Sequence, residues 1–171
     1  MREFTMVSPR VWRSKRFKEM PMCGQLTYLY LLTSEHQNMA GVYRLPPAYA
    51  ASDLGWTVDE FTAALDNVVA VGLAHRDIDT DEVMIAKWFK FNAPKGKTTI
   101  KGVENVLEKI ESENLYELAT QAFEEAVNLQ AEKNVQIGQQ QTSNHPPQMN
   151  GMTPDQIINR KRESRLSQQR H

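Results

Sequence analysis

Hydrophobic residues recur at helical spacing in short blocks over the first seventy residues. Between residues 25 and 33, Leu26, Leu29, Tyr30 and Leu32 would share one face of a helix. A turn at 38–41 and a short strand at 42–45 follow, and the strand stops at two prolines. Residues 47–54 then predict a short helix, because proline suits a first helical turn and a following glycine can adopt the left-handed conformation that ends a helix.

The strongest helix start is at Thr57, where Glu60 three residues later completes a capping box. Apolar residues at 58, 61, 65 and 68 would form one helical face, which ends at Gly72. Two β-prone segments, 73–77 and 83–88, are joined by a polar stretch at 78–82. Together these segments predict a β-hairpin.

The order helix, strand, helix, tight turn, helix, hairpin is typical of a winged helix-turn-helix. We therefore predict an α+β fold in which residues 1–95 form a winged-helix domain, followed by a mostly α-helical C-terminal extension. A small α+β domain with no DNA-binding role is the alternative that this pattern leaves open.

The composition changes after residue 92. A connector at 93–98 precedes two amphipathic segments, which predict a helical hairpin extension over 96–133 that packs on the core or on a second copy of the chain. The polar, proline-containing stretch 134–152 predicts a flexible linker. Residues 153–171 begin with a second capping box and predict a short basic helix. Its candidate partner-binding residues are Ile157, Ile158, Arg160, Lys161, Arg162 and Arg165. Binding of nucleic acid, binding of an acidic partner, folding only on contact with a partner and a merely solubilising disordered end all stay open for this segment.

Charge is strongly segregated although the formal net charge is only −1. Six basic residues stand against one acid over residues 1–18, and residues 87–101 hold five lysines and no acid. Ten acids face two arginines over 19–86, and eight acids face two lysines over 102–133. The basic segments thus flank the predicted helix-turn-helix, where cations could contact a DNA backbone and release counterions.

The predicted recognition helix itself carries Asp59, Glu60 and Asp66, which would repel phosphates. We therefore leave open whether this helix contacts bases or the hairpin and the N-terminal arm contribute more of the binding. The candidate DNA-binding residues are Arg10, Arg13, Lys15, Arg16, Arg44, Thr57, Thr62, Asn67, Arg76, Lys87, Lys90, Lys95 and Lys97. The hypothesis requires the arm and the lysines after the hairpin to lie on one side of the domain.

Residues typical of catalysis or of metal binding are not grouped in the sequence. The four histidines are scattered, the single cysteine, Cys23, has no basic neighbour to activate it, and no phosphate-binding glycine loop is evident. We expect a non-enzymatic protein with no cofactor and no metal. A single cysteine and no apolar run of about 20 residues also lead us to expect a cytoplasmic protein that does not cross a membrane.

Several short strings resemble phage and prophage replication-initiation proteins, also called replisome organisers. They are residues 8–12 (SPRVW), 29–34 (LYLLTS), Asn38, 41–46 (GVYRLP), 53–56 (DLGW), 71–73 (VGL), 87–89 (KWF) and 92–94 (NAP), which together span about the first 95 residues. The resemblance implies a winged-helix domain that binds double-stranded origin DNA in a bacterial host cell. It also implies a C-terminal part that recruits a helicase or a helicase loader.

A second hypothesis is a protein–protein interaction module. In it the acidic face of the helix-turn-helix and the acidic stretch 104–132 bind a basic host protein, since acidic surfaces can imitate a phosphate backbone. Such a module would act as a transcription regulator, or would inhibit a host nucleic-acid enzyme or defence system. Paired half-sites in DNA would require a homodimer, which the helices between residues 100 and 129 could supply.

Overall fold

The computed structural model describes residues 5–143 of the 171-residue chain. A 3-10 helix at Pro9–Arg13 is followed by α1 (Lys15–Glu19), α2 (Met22–Thr33), β1 (Val42–Arg44), α3 (Pro47–Leu54), α4 (Val58–Ala70), β2 (Ala74–Asp77), β3 (Glu82–Ile85), α5 (Trp88–Phe91), α6 (Lys97–Leu107) and α7 (Glu113–Ser143). The chain is therefore a mixture of helices with a small antiparallel sheet, which confirms the predicted α+β class.

The chain divides into two compact units, Met1–Glu132 and Lys133–His171. Residues 96–132 belong to the same unit as the sheet, so the predicted boundary at residue 95 does not separate compact bodies. Of the second unit the structure describes the backbone of residues 133–143, which is helical. The predicted tail at 153–171, with its six candidate partner-binding residues, lies outside the described residues.

Local capping chemistry determines the bounds of α3 and α4. The helix α3 has the predicted bounds and ends at Gly55, whose φ of 68° is left-handed. At the start of α4 the Thr57 hydroxyl accepts a hydrogen bond from the Glu60 backbone N–H, and the Glu60 carboxylate accepts one from the Thr57 N–H at 2.8 Å. Both predicted signals are confirmed, since each depends on neighbours in sequence.

The sheet has the strand order β1-β3-β2, and both pairings are antiparallel. Val42 is opposite Met84, and Ala74 is opposite Ile85. All four residues of the central strand β3 are buried. The sheet therefore closes one side of the core, against which α2 and α4 also pack.

Three predicted boundaries were wrong. The second hairpin strand stops at Ile85 and does not reach residue 88, because Lys87 adopts a left-handed φ of 59° and the chain turns into α5. Residues 97 and 98, predicted as connector, begin α6. The helix α7 continues through Ser143, so residues 134–143 of the predicted linker are helical. The short helices at Pro9–Arg13 and Lys15–Glu19 were not predicted.

The helical extension packs on the core. Val103 and Leu107 of α6 and Leu115, Ala119 and Phe123 of α7 are buried in the same cluster as the sheet. The rings of Phe89 in α5 and Phe123 lie 5.6 Å apart between centroids. Of the two placements left open for these helices, the core of the same chain is the observed one.

Candidate nucleic-acid interface

The N-terminal arm is built by two short capped helices. Ser8 accepts a hydrogen bond from the Arg10 N–H at 3.3 Å, and Ser14 accepts one from the Phe17 N–H at 3.4 Å. Phe17 is 1% exposed and anchors α1 in the core. The Arg16 guanidinium donates to the Gly72 carbonyl at 3.0 Å, so the arm is fastened to the end of α4.

The chain after the hairpin forms the opposite wall. Trp88 and Phe89 in the single turn of α5 are buried, which leaves Lys87, Lys90 and Phe91 exposed. Phe91 is 65% exposed, an unusual position for a phenyl ring beside two lysines.

These two walls enclose a groove of about 380 Å³, which we call the cationic groove. Its cations come from both basic segments: Arg10, Lys15, Arg16, Lys87 and Lys90. Its apolar floor includes Leu32, Leu73, Ile85 and Trp88. No carboxylate is among the described residues that line it, so the structure brings together five of the thirteen candidates in a field of one sign.

Tyr28 also lines the cationic groove, and burial raises the pKa of its hydroxyl. The hydroxyl therefore stays protonated near neutral pH. The cations of the groove are only lightly neutralised by the protein itself. Lys15 lies 3.7 Å from Glu19, but both side chains are largely exposed. The interaction energy of such an exposed ion pair is small, because solvent screens the charges.

Five further cationic candidates lie outside the cationic groove. Arg13, Lys95 and Lys97 are exposed, and their side chains form no hydrogen bond or ion pair with the described residues. Arg44 on the edge strand lies 3.8 Å from Asp81. Arg76 lies 2.7 Å from Asp66 of α4, and its side chain is only 19% exposed. The last two cations are therefore partly neutralised by carboxylates.

The polar candidates on α4 mostly have partners inside the chain. The Thr57 hydroxyl belongs to the capping box, and the Asn67 amide donates to the Ala63 carbonyl at 2.8 Å. Asn67 also lies against α2, since a Cβ at Gly24 would stand 3.2 Å from the Asn67 Cβ. Thr62 is half-buried. The exposed surface of α4 thus presents its carboxylates more than groups that could contact bases.

The turn of the hairpin is held by the extension. The buried Glu82 carboxylate accepts hydrogen bonds from the backbone N–H groups of Glu111 and Ser112, at 3.1 and 2.8 Å. The Ser112 hydroxyl donates to Asp77 at 2.7 Å and accepts from the Leu115 N–H, which caps α7. The hydrogen bond from the Ser112 hydroxyl, with those from the Asp79 and Thr80 backbone N–H groups, holds the pKa of Asp77 below its ordinary value. The carboxylates of Asp77 and Glu82, on either side of this turn, therefore hold the start of α7 against the hairpin.

Phe91 was missed by the sequence hypotheses, although a signal existed. In the string Lys87-Trp88-Phe89-Lys90-Phe91 the first, fourth and fifth residues share one side of a helical turn. The sequence predicts a strand that ends at residue 88 and assigns no element to Phe91, so the helical turn that exposes this ring was not expected.

Comparisons with known proteins add no assignment: no family model matches the sequence, and neither the curated proteins nor the solved structures contain a match. Within residues 5–143 no group of three or more His, Cys, Asp or Glu side chains is placed to hold a metal ion. The helices of the same residues include none with the length and apolarity to cross a membrane.

Proposed function

We propose that residues 5–95 form a winged-helix domain that binds double-stranded DNA, and that the protein acts in phage replication initiation in the bacterial cytoplasm. The order α2, β1, α3, α4, β2, β3 and the strand order β1-β3-β2 support the winged-helix assignment. The replication role, with recruitment of a helicase or a helicase loader, rests on the sequence resemblance alone.

The convergence of the two basic segments on the cationic groove is the observation that carries the proposal. Five cations from residues 10–16 and 87–90 surround one opening, and the described residues that line it include no acid. A phosphate backbone laid across them would release condensed counterions, which supplies affinity without regard to base sequence.

The proposal departs from simple insertion of α4 into a major groove. Asp59 and Glu60 are exposed at the start of α4, and Asp66 is only partly balanced by Arg76. Phosphates on both sides of a major groove would approach these carboxylates at a cost. DNA contact through the N-terminal arm and α5 avoids that repulsion.

A matched pair of double variants tests the proposal. Lys87→Gln with Lys90→Gln removes two cations of the groove, whereas Lys95→Gln with Lys97→Gln removes two nearby cations outside it. Anisotropy of a labelled duplex, titrated at two salt concentrations, measures both. We expect the groove variant to weaken binding about tenfold and to lower the salt slope by about two, with a smaller effect in the control. Equal losses in both variants, or no salt-dependent binding by the unaltered chain, would contradict the proposal.

A protein-binding role is the second candidate, favoured by the exposed carboxylates of α4. In that case the chain would ignore duplex DNA and capture a basic protein. Neutralising Asp59 would then weaken the capture, while the lysine variants above would leave it unchanged.

A further inference from the structure

A second groove lies between α6 and α7, on a part of the chain that the DNA-binding proposal does not use. It encloses about 550 Å³. One helical face of α6 and one of α7 line it, because the lining residues recur at intervals of three and four in both helices. We call it the acidic groove.

The floor of the acidic groove is apolar. Leu107 and Phe123 are 4% and 7% exposed at its base, while Ile100 and Val127 are half-buried. Tyr116 lines the same groove with 41% of its surface exposed. Covering this apolar surface with a partner is favourable, because it removes the surface from water.

The rim of the acidic groove carries one sign of charge. Glu104 of α6, Glu108 directly after α6 and Glu124 of α7 line it and are exposed. None of the three forms an ion pair with a described residue, and no cation is among the described lining residues. This charge repels nucleic acid and attracts a basic partner.

Thr120 adds a polar position to the floor. Its hydroxyl oxygen is buried and has no hydrogen-bond partner among the described residues, although the residue lines the groove. An enclosed hydroxyl without a partner is unfavourable.

The acidic groove is preformed, since both helices are pinned to the sheet. The Glu82 carboxylate holds the backbone N–H groups of Glu111 and Ser112 at the turn between α6 and α7, and Phe123 packs against Phe89. A site whose walls are already fixed loses little entropy on binding.

We propose that the acidic groove binds an amphipathic helix of a partner protein, with its apolar side on the floor and lysine or arginine beside Glu104, Glu108 and Glu124. Along α7 the groove extends from Tyr116 to Asn128, about 18 Å at the helical rise of roughly 1.5 Å per residue. The occupant is therefore a helix of about three turns, which anchors residues at helical spacing in the groove. This inference is independent of DNA binding at the cationic groove.

Peptide binding to the full chain tests the proposal. The probe is the labelled peptide LKKLLKLLKKLLKL-amide, which is basic on one helical side and apolar on the other; the control peptide replaces every lysine with glutamate. We expect the basic peptide to bind and the acidic one to fail. A variant with Glu104→Gln, Glu108→Gln and Glu124→Gln should weaken binding about tenfold, as three partly screened ion pairs would.

Two matched controls separate the groove from general acidity. Glu113→Gln with Glu117→Gln and Glu125→Gln removes the same charge from exposed positions of α7 outside the groove, and we expect less than about a threefold loss. Val127→Ser should weaken binding, whereas Leu129→Ser, at an exposed position outside the groove, should not.

Three results would overturn the proposal. Equal losses in the two glutamate variants would show a nonspecific charge effect, and equal binding of the acidic peptide would show that the rim charge is irrelevant. Sedimentation that reports a dimer, broken by Val127→Ser and insensitive to the basic peptide, would show that a second copy of the chain occupies the groove.

Discussion

Gly41 and Trp88 occupy one tightly shared space. A Cβ built on Gly41 would overlap the indole ring of Trp88, and Gly41 has a left-handed φ of 69°. The indole N–H of Trp88 donates to the Met39 carbonyl at 2.9 Å. The turn before β1 and the helix after β3 are thereby joined, and this junction places Lys87 and Lys90 beside the N-terminal arm.

Gly41→Ala is expected to destabilise the fold strongly. The new methyl group must displace the Trp88 ring and also pay the cost of a left-handed backbone, about 3 kcal/mol or more together. Gly55→Ala is the matched control, since Gly55 has a left-handed φ of 68° but nothing within 4 Å of a built Cβ. That control should lose only about 1 kcal/mol. Denaturant unfolding of both variants measures the difference, and similar losses would show that the overlap with Trp88 is unimportant.

Features set by neighbours in sequence were predictable, as α3 and the capping box of α4 show. The end of β3 was not, because it depends on the bond between Trp88 and Met39, which are 49 positions apart. The length of α7 was missed for another reason. The composition of this glutamine-rich polar stretch predicts a linker, although glutamine is a good helix former.

In the candidate site, too, features that depend on local sequence were predictable and features that depend on tertiary packing were not. The basic segments were visible in sequence, and the expected convergence on one side holds for five cations. The engagement of Arg76 by Asp66 was not predictable, since it depends on how the hairpin lies against α4. The approach of Asn67 to Gly24 likewise follows from the packing of α2 on α4.

Ser112→Ala should destabilise the junction between the hairpin and α7. The substitution removes the hydroxyl that caps α7 and that donates to Asp77, at a site where Ser112 is 2% exposed. The expected loss in the free energy of unfolding is about 1–2 kcal/mol. Ser52→Ala, at an exposed serine of α3, is the control and should change stability little. A neutral result for Ser112→Ala would mean that the junction does not stabilise the fold.

Acidification should weaken the capping box of α4. Hydrogen bonds from the Thr57 backbone N–H and hydroxyl hold the pKa of Glu60 below its ordinary value. A carboxyl group with a lowered pKa in the folded state stabilises the fold above its unfolded pKa, and this contribution disappears as the pH falls through the folded pKa. The window runs from about pH 5 downward.

The measurement compares the free energy of unfolding of the unaltered chain with that of Glu60→Gln from neutral pH to about pH 3. We expect the stability of the unaltered chain to fall relative to the variant over that range, since glutamine does not titrate. Asp59→Asn is the control: it removes a charge from the same helical turn but leaves the bonds of Thr57 intact. It measures how much a negative charge near the N-terminus of α4 stabilises the helix apart from the capping box. A constant difference between the unaltered chain and Glu60→Gln would exclude the capping box as a source of pH dependence.

Asp66→Asn tests whether α4 contacts DNA. The substitution removes a carboxylate from α4 and releases the Arg76 guanidinium, which lies 2.7 Å away. If duplex DNA lies on the cationic groove, as proposed, the gain in affinity should stay below about threefold, because a single exposed charge at a distance is screened. Asp79→Asn, in the exposed hairpin turn, controls for net charge and should give a similar gain. The loss of the ion pair should cost stability less than about 1 kcal/mol, since Asp66 is 56% exposed. A gain above about tenfold for Asp66→Asn alone would instead place the DNA on α4, because only a charge close to phosphates has so large an effect.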